Sequence, residues 1–537
     1  MKKLITSLVA AAAALTLSAK DIATPADWNA FAAAVTAGDW SAWQDDAGVV
    51  NIVADLEFPR GAANIESTVQ WTGVLDGHGH TITQRQGKLP LIIGIAPSGV
   101  VRNLNVAGER RVHHRNGWAS LIAVNNAGLV ENCHSKVNFN VSGKNANVHG
   151  LVRTNTGIVR SCTNSGSIVT SAPEEALWVA GVVTDNQGTL ENCANYGSIR
   201  VEAVDLNACV AGVCLFAKGN ISACVNEGDI DVSLNLTDNR VFYCGGLFGR
   251  GECRGKDASI RGCRNKGNVR VVRTAQGHYS LLRCGVGGVL ACMIDGNDSH
   301  HMVLENCINM GSVSLLEDEN YFQQAGCFAV GGIVGRVCPN GGKESYMAVS
   351  EDGYYMEIRG CRNTGTIQQA TALRFTIAFE KSPSGARFAY TGGIAGLLYG
   401  SAKNAAVIEN CISTASVLGG SHKGCDMSGG IAGGIGNAIV RSCMSSTVFG
   451  PAEALFYNAE QFGAIGAAVG LVFKDSSIEA TQAKMDVRTG SAIVYSRGFV
   501  GAVAIGAEAK LADCSCSGGP ACGNFLPGTV EGKLNAH

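Results

Sequence analysis

Apolar residues along this chain recur in short runs broken by Gly, Asn and charged residues, and the breaks themselves repeat. Nine cysteines (Cys133, Cys162, Cys193, Cys224, Cys263, Cys307, Cys361, Cys411 and Cys443) each follow an aliphatic residue by three positions. In six consecutive copies Asn stands two residues after the Cys (Asn164, Asn195, Asn226, Asn265, Asn309, Asn363), with Gly two further on and Ile or Val two beyond. A Gly-Gly-aliphatic run precedes most copies, as in Gly245-Gly-Leu-Phe-Gly249, Gly331-Gly-Ile-Val-Gly335, Gly392-Gly-Ile-Ala-Gly396 and Gly429-Gly-Ile-Ala-Gly433. The pattern predicts three short strands per unit, separated by corners. Units recur every 29 to 54 residues. None could bury an apolar face alone, so each strand must pair with its equivalent in the next unit. The prediction is an all-β, right-handed parallel β-helix of about twelve coils, its hand set by the crossover rule for parallel strands. Thr24-Pro25 reads as N-cap and first helical residue of a short helix ending near Gly38, with Trp28, Phe31 and Val35 spaced to pack over the first coil.

Charge supplies the register. Two positions before each Cys, with Arg102 and Glu479 added from copies lacking Cys, stand Arg102, Glu131, Arg160, Glu191, Ser222, Arg261, Glu305, Arg359, Glu409, Arg441 and Glu479. Equivalent residues in stacked strands lie about 4.8 Å apart, and like charges at that spacing repel. Alternating signs are therefore what an outward-facing column requires. Strict two-residue alternation would leave Cys on the same outer side. The intervening Asn, Ser, Gly or Ala suits a corner, Asn and Gly because they tolerate left-handed backbone, and a bend there returns Cys to the interior as a small core residue. Stacked side by side, such cysteines have parallel Cβ atoms, poorly placed for disulfides.

The repeat resembles that of bacterial exported β-helix proteins carrying GLUG-type repeats, whose pattern is Gly-Gly-Leu-Val-Gly, a spacer, then aliphatic-x-Asn-Cys and Gly-x-Val. The leader Ile22-Ala-Thr-Pro-Ala-Asp-Trp28 and the segment Trp71-Thr-Gly-Val-Leu-Asp-Gly-His-Gly-His-Thr-Ile82 are similar to the opening helix and first coil of such proteins. The resemblance spans roughly residues 22 to 516 and implies a surface or secreted protein, often adhesin-like. It weakens after Cys443, where the Asn-Cys pair is lost, and the middle coils carry long insertions.

Composition bounds the function. Gly is 70 of 537 residues and aromatics are 6%, which suits many small-residue strands. Charged residues are 16% with a net charge of −2 and no basic block, so nucleic-acid capture has no electrostatic support. Lys2 and Lys3, an apolar run from Leu4 to Leu17, then Ser18 and Ala19 predict a cleaved export signal over residues 1–19. No transmembrane segment is expected in the mature chain. The expected division continues with a cap and lead-in strand over 20–58, the β-helix over 59–516 with long loops between 225 and 410, and a cap or tail over 517–537. Twenty-one cysteines is an odd count, leaving at least one unpaired within the chain. Disulfides remain open for Cys209 with Cys214, Cys244 with Cys253, Cys284 with Cys292 and Cys327 with Cys338. The triplet Cys514, Cys516, Cys522 suits a terminal disulfide better than zinc.

Candidate chemistry is sparse. Asp76, His78 and His80 belong to a turn. Asp295-Gly-Asn-Asp298 with His300 and His301 lacks the twelve-residue calcium-loop pattern, and Glu317-Asp-Glu319 reads as a loop tip. Arg110 and Arg111 with His113 and His114 read as a surface cluster. Neither His-Glu-x-x-His, nor Gly-x-Ser-x-Gly, nor a phosphate loop occurs, and no cofactor or metal site is expected. Eight of eleven tyrosines fall between Cys224 and Cys411. Those on the insertions Leu316 to Cys327, Cys338 to Tyr355 and Ala370 to Tyr390, together with Tyr279, predict a lateral binding platform. The expected function is non-enzymatic binding of a glycan or host glycoprotein through Tyr279, Tyr321, Tyr346, Tyr354, Tyr355 and Tyr390. The alternatives are a polysaccharide lyase or hydrolase on this scaffold, and an envelope protein without a ligand.

Overall fold

The computed structural model describes residues 19–536 apart from 60, 86–89, 114–118, 144–146, 173–176, 205–206, 236–240, 254, 274–276, 296–299, 318–320, 338–354, 372–388, 402, 422–425, 452–460, 489–492, 505, 518–528 and 533. Most of the predicted export signal therefore lies outside the described residues. One coil shows the plan: Thr189–Glu191, a corner, Ala194–Asn195 and Ile199–Val204, then Ala208–Ala211, a Gly corner and Cys214–Ala217. Every one of these strands pairs in parallel with its equivalents one coil before and one coil after, so the chain is a parallel β-helix.

The sheet containing Thr189–Glu191 has fifteen strands, from Val49–Asn51 to Thr529–Glu531. That exceeds the expected dozen because the coils at both ends lack the Cys signature. The β-helix starts ten residues earlier than the expected 59, at Val49. It also extends into the predicted tail, where Thr529–Glu531 and Leu534–Ala536 pair with Glu508–Ala512 and Cys514–Ser517. Stacking alone decides these ends, since each strand there needs only a partner's backbone.

The charged column is in register throughout: Glu131 stands beside Arg102 and Arg160, Glu305 beside Arg261 and Arg359, Glu409 beside Arg359 and Arg441. Asp76 adds a further acid before Arg102, whose Nε donates to it at 2.7 Å. Left-handed backbone occurs at the predicted corner, with positive φ at Asn132, Ser161, Asn192, Ala223, Gly262, Asn306, Gly360, Asn410 and Ser442. The bend turns the next residue inward, and all nine repeat cysteines are buried free thiols. None of Cys209, Cys214, Cys244, Cys253, Cys284 and Cys292 is disulfide-bonded, so the first three of the open disulfide pairings do not form. Cys516 is disulfide-bonded, whereas Cys514 is a buried thiol.

Repeat Asn residues form an internal ladder. Asn164 donates from Nδ2 to Asn195 at 2.9 Å, and the chain continues through Asn226, Asn265 and Asn309 to Asn363 at 2.8 to 2.9 Å. Each amide after Asn164 thus both donates and accepts along the stack up to Asn309, the condition for burying it without loss. The helix α1 (Pro25–Ala37) closes the first coil as expected, with a Thr24–Asp27 capping box and Gly38 at φ 84°. Trp28 donates to Ala63 O at 2.9 Å and Phe31 packs edge-on to Trp71, so the cap is fastened by polar and apolar contacts.

Candidate functional site

Outward side chains of the strands on either side of the Gly corner face each other in a lateral groove, as Trp178 and Phe216 do. Its depth depends on two columns. One runs Ala180, Ala211, Gly245, Gly287, Gly331, Gly392, Gly429. The other occupies the position after the paired column Val152, Val183, Cys214, Phe248, Leu290, Val334, Ala395, Ala432, and reads Arg153, Thr184, Leu215, Gly249, Ala291, Gly335, Gly396, Gly433. Late in the stack, glycine lets the two strands touch through their backbones. A Cβ on Gly335 would lie 2.6 Å from Val286 N, on Gly396 2.7 Å from Val330 N, and on Gly433 2.5 Å from Thr391 N. Early in the stack, side chains hold the strands apart.

The opening is a cleft of about 460 Å³ between Val148–Asn155, Leu177–Ala180, Val183–Asn186, Cys214–Ala217 and Phe248–Glu252, extended by Asn147 and Lys218. Trp178, half-buried, meets Phe216 with ring centroids 4.5 Å apart and tilted 55°. Beneath them Cys209, Leu215, Tyr243 and Cys292 form an apolar cluster separate from the main core. Lys218 Nζ and the Arg250 guanidinium stand over the Phe216 ring at 5.1 and 5.2 Å. Both cations are also paired: Lys218 reaches Asp185 and Glu252 at 3.2 Å each, and Arg250 reaches Glu252 at 3.0 Å.

Deep in the cleft His149 shares a hydrogen bond with Thr184 Oγ1 at 2.8 Å. Burial pushes its pKa down to about 3, helped by the charge of Arg153, so the ring is neutral at ordinary pH. Burial likewise pushes the Cys209 thiol up to about 12, which makes it a poor nucleophile. The cleft therefore offers aromatic surface, three cations and two carboxylates that are already ion-paired. That set can stack a flat ligand and donate to its oxygens.

Tyr390, expected to face a ligand, is fully buried, and its ring fills the closed groove where a Cβ on Gly434 would lie 2.5 Å away. Its place in a strand beside the glycine column, not in a loop, is the reason. Tyr355 starts a strand of the charged sheet, half-buried, with its hydroxyl on Glu357 and its ring 5.1 Å from His301. Tyr279 and Tyr321 lie on the paired strands Gly277–Gly287 and Tyr321–Gly331, so the insertion read as a loop from Leu316 to Cys327 is largely strand. Nothing is described of their side chains, and Tyr346 and Tyr354 lie outside the described residues.

Other candidates resolve into structure. The buried Asp76 accepts from Arg102, Asn103 and the His78 amide, and these bonds lower its pKa against the opposing effect of burial. His300 and His301 approach Asp257, and no group of three metal-ligating side chains occurs among the described residues. Arg110 is buried, not exposed, with its guanidinium on Gln84. No described helix is long and apolar enough to cross a membrane. Sequence reading missed the cleft, although a signal was present: the repeat's Gly-x-x-Gly ends in Thr184 and Leu215 in two early copies.

Fold and site together define a parallel β-helix with a lateral aromatic and ionic cleft. Comparison of the chain with protein-family models, curated proteins and solved structures finds no match to any of them.

Proposed function

We propose that this protein is an exported glycan-binding protein and that the cleft around Trp178 is its binding site. One observation carries the reading: a half-buried Trp178 packed on the buried Phe216 and set among hydrogen-bond donors and acceptors in a preformed depression. A sugar ring has an apolar C–H face and a hydroxyl edge, and this lining complements both. The two carboxylates are each held by Lys218, an arrangement suited to fixing donors in place. Binding therefore needs no chemical step. This reading moves the expected glycan site from the middle-coil tyrosines to earlier coils.

A glycan array followed by calorimetry tests it. Trp178→Ala should reduce affinity by at least about tenfold, or about 1.4 kcal/mol, with the thermal midpoint retained. A variant that binds as tightly as the parent, or a parent that binds no glycan on the array, would remove the proposal.

A further inference from the structure

We propose that the interior column of nine repeat cysteines is a binding site for soft monovalent cations, copper(I) or silver(I), each held between two successive thiolates. This site is separate from the cleft and independent of what the cleft binds. The column is unbroken and regular. The backbone N–H after each cysteine position donates to the cysteine carbonyl one coil earlier at 2.9 to 3.0 Å, from Thr163 on Cys133 to Gln482 on Cys443. All nine side chains point the same way, each Sγ lying 3.2 to 3.5 Å from the carbonyl oxygen two residues before it. Successive thiols lie within interaction range, as Cys162 does of Cys133 and Cys193, and Cys307 of Cys263 and Cys361. Leu104 and Thr481 take the same position, after a left-handed residue, in the coils before and after, so the run of sulfur has two defined ends.

Packing alone does not call for sulfur at this position. Three residues earlier, the buried position of the same nine coils exchanges Val, Leu and Ile freely, whereas this one holds a thiol every time. A buried Cys fills space as a small apolar residue does, and what sets it apart from Ala or Val is what its sulfur can ligate.

Geometry selects the ion. Sulfurs in line at strand spacing, about 4.8 Å, do not converge on one point, so they cannot build a tetrahedral zinc site. A metal–thiolate bond is about 2.3 Å, and two of them end to end span about 4.6 Å, which matches the gap between neighbours. Thiolates select soft ions such as copper(I), and soft monovalent ions accept two ligands in a line. Charge agrees with that choice. Nine thiols enclose eight gaps; loading them sends nine protons to solvent, and eight monovalent cations among nine thiolates leave one net negative charge. A divalent ion in every gap would leave seven positive charges in a dry core, at a heavy desolvation cost. Burial keeps the Cys133, Cys193 and Cys263 thiols protonated when no ion is bound, so affinity should rise with pH.

The test counts metal. The full chain, reduced and held under argon, is given silver(I) either folded or during refolding, passed through glutathione to strip weakly held ions, and analysed by mass spectrometry. By at least one route about eight silver ions per chain should remain, with X-ray absorption showing two sulfurs around each. Cys263→Ala divides the column into two runs of four thiols, with six gaps in all, and should remove two ions; Cys133→Ala trims one end and should remove one. Cys244→Ala, outside the column, should remove none. Circular dichroism of each variant should match the parent, and if a variant does not fold, the parent's ion count and sulfur number still decide. Fewer than two ions retained by both routes overturns the proposal. So does equal loss from all three variants, three or more sulfurs around each ion, or zinc(II) retained as firmly as silver.

Discussion

The same corner of the same repeat is open between residues 147 and 252 and closed from Cys292 onward, and the two regions differ in the side chains of two facing columns. Where the position holds Arg153, Thr184 or Leu215 the facing strands stand apart and a ligand-sized space remains. Where it holds Gly335, Gly396 or Gly433 they meet backbone to backbone, and Tyr390 and Leu397 are packed away. The lesson is that a glycine-rich repeat is a closing device, and function becomes available where the repeat loses its glycines. Conformational freedom is not what these glycines supply, for none of the three has positive φ. They supply room.

The strongest way to break the comparison is to exchange the two regions' residues. Gly396→Thr would put a branched side chain where backbone stands 2.5 Å away at Gly335 O and 2.7 Å away at Val330 N. A loss of about 3 kcal/mol or more in denaturant unfolding is expected, because neither strand can yield without breaking its ladder. A change below about 1 kcal/mol would show that the closed corner is not in backbone contact.

A smaller effect should come from His149 in the open corner. Folded His149 stays neutral down to about pH 3, whereas in the unfolded chain it protonates near its ordinary 6.5. Between those values the unfolded state binds more protons, so stability falls as pH drops below 6.5. The loss should reach about 2 kcal/mol at pH 5 and vanish in His149→Gln. Equal pH dependence in parent and variant would show that the ring is hydrated in the cleft.

The smallest effect serves as a control away from the corner. Glu305 pairs with Arg261 at 3.1 Å, with 40% and 58% of the side chains exposed. Glu305→Ala should therefore cost about 0.5 kcal/mol and leave glycan affinity unchanged. An altered affinity would mean that the charged sheet and the groove are coupled.

Much of the scaffold was legible because it rests on periodic constraints. The Arg and Glu column, the left-handed corner and the inward Cys all follow from stacking equivalent residues at strand spacing. The binding site was less legible, because its parts are not neighbours in the chain. Trp178 meets Phe216 across one coil, and Lys218 gathers Asp185 and Glu252 from the coils on either side of it. Tyr390 misled for the same reason: a cluster of tyrosines in sequence says nothing of which side of a strand pair each faces.

By itself the sequence determined the solenoid, its register and its N-terminal cap, since every repeat states the same local preferences and only one stacking satisfies them all. Tertiary structure decided how far the two strands at the Gly corner close, and hence where a cleft exists. That closure is a contact between residues a full coil apart, set by the bulk on both strands at once, and no single repeat contains it.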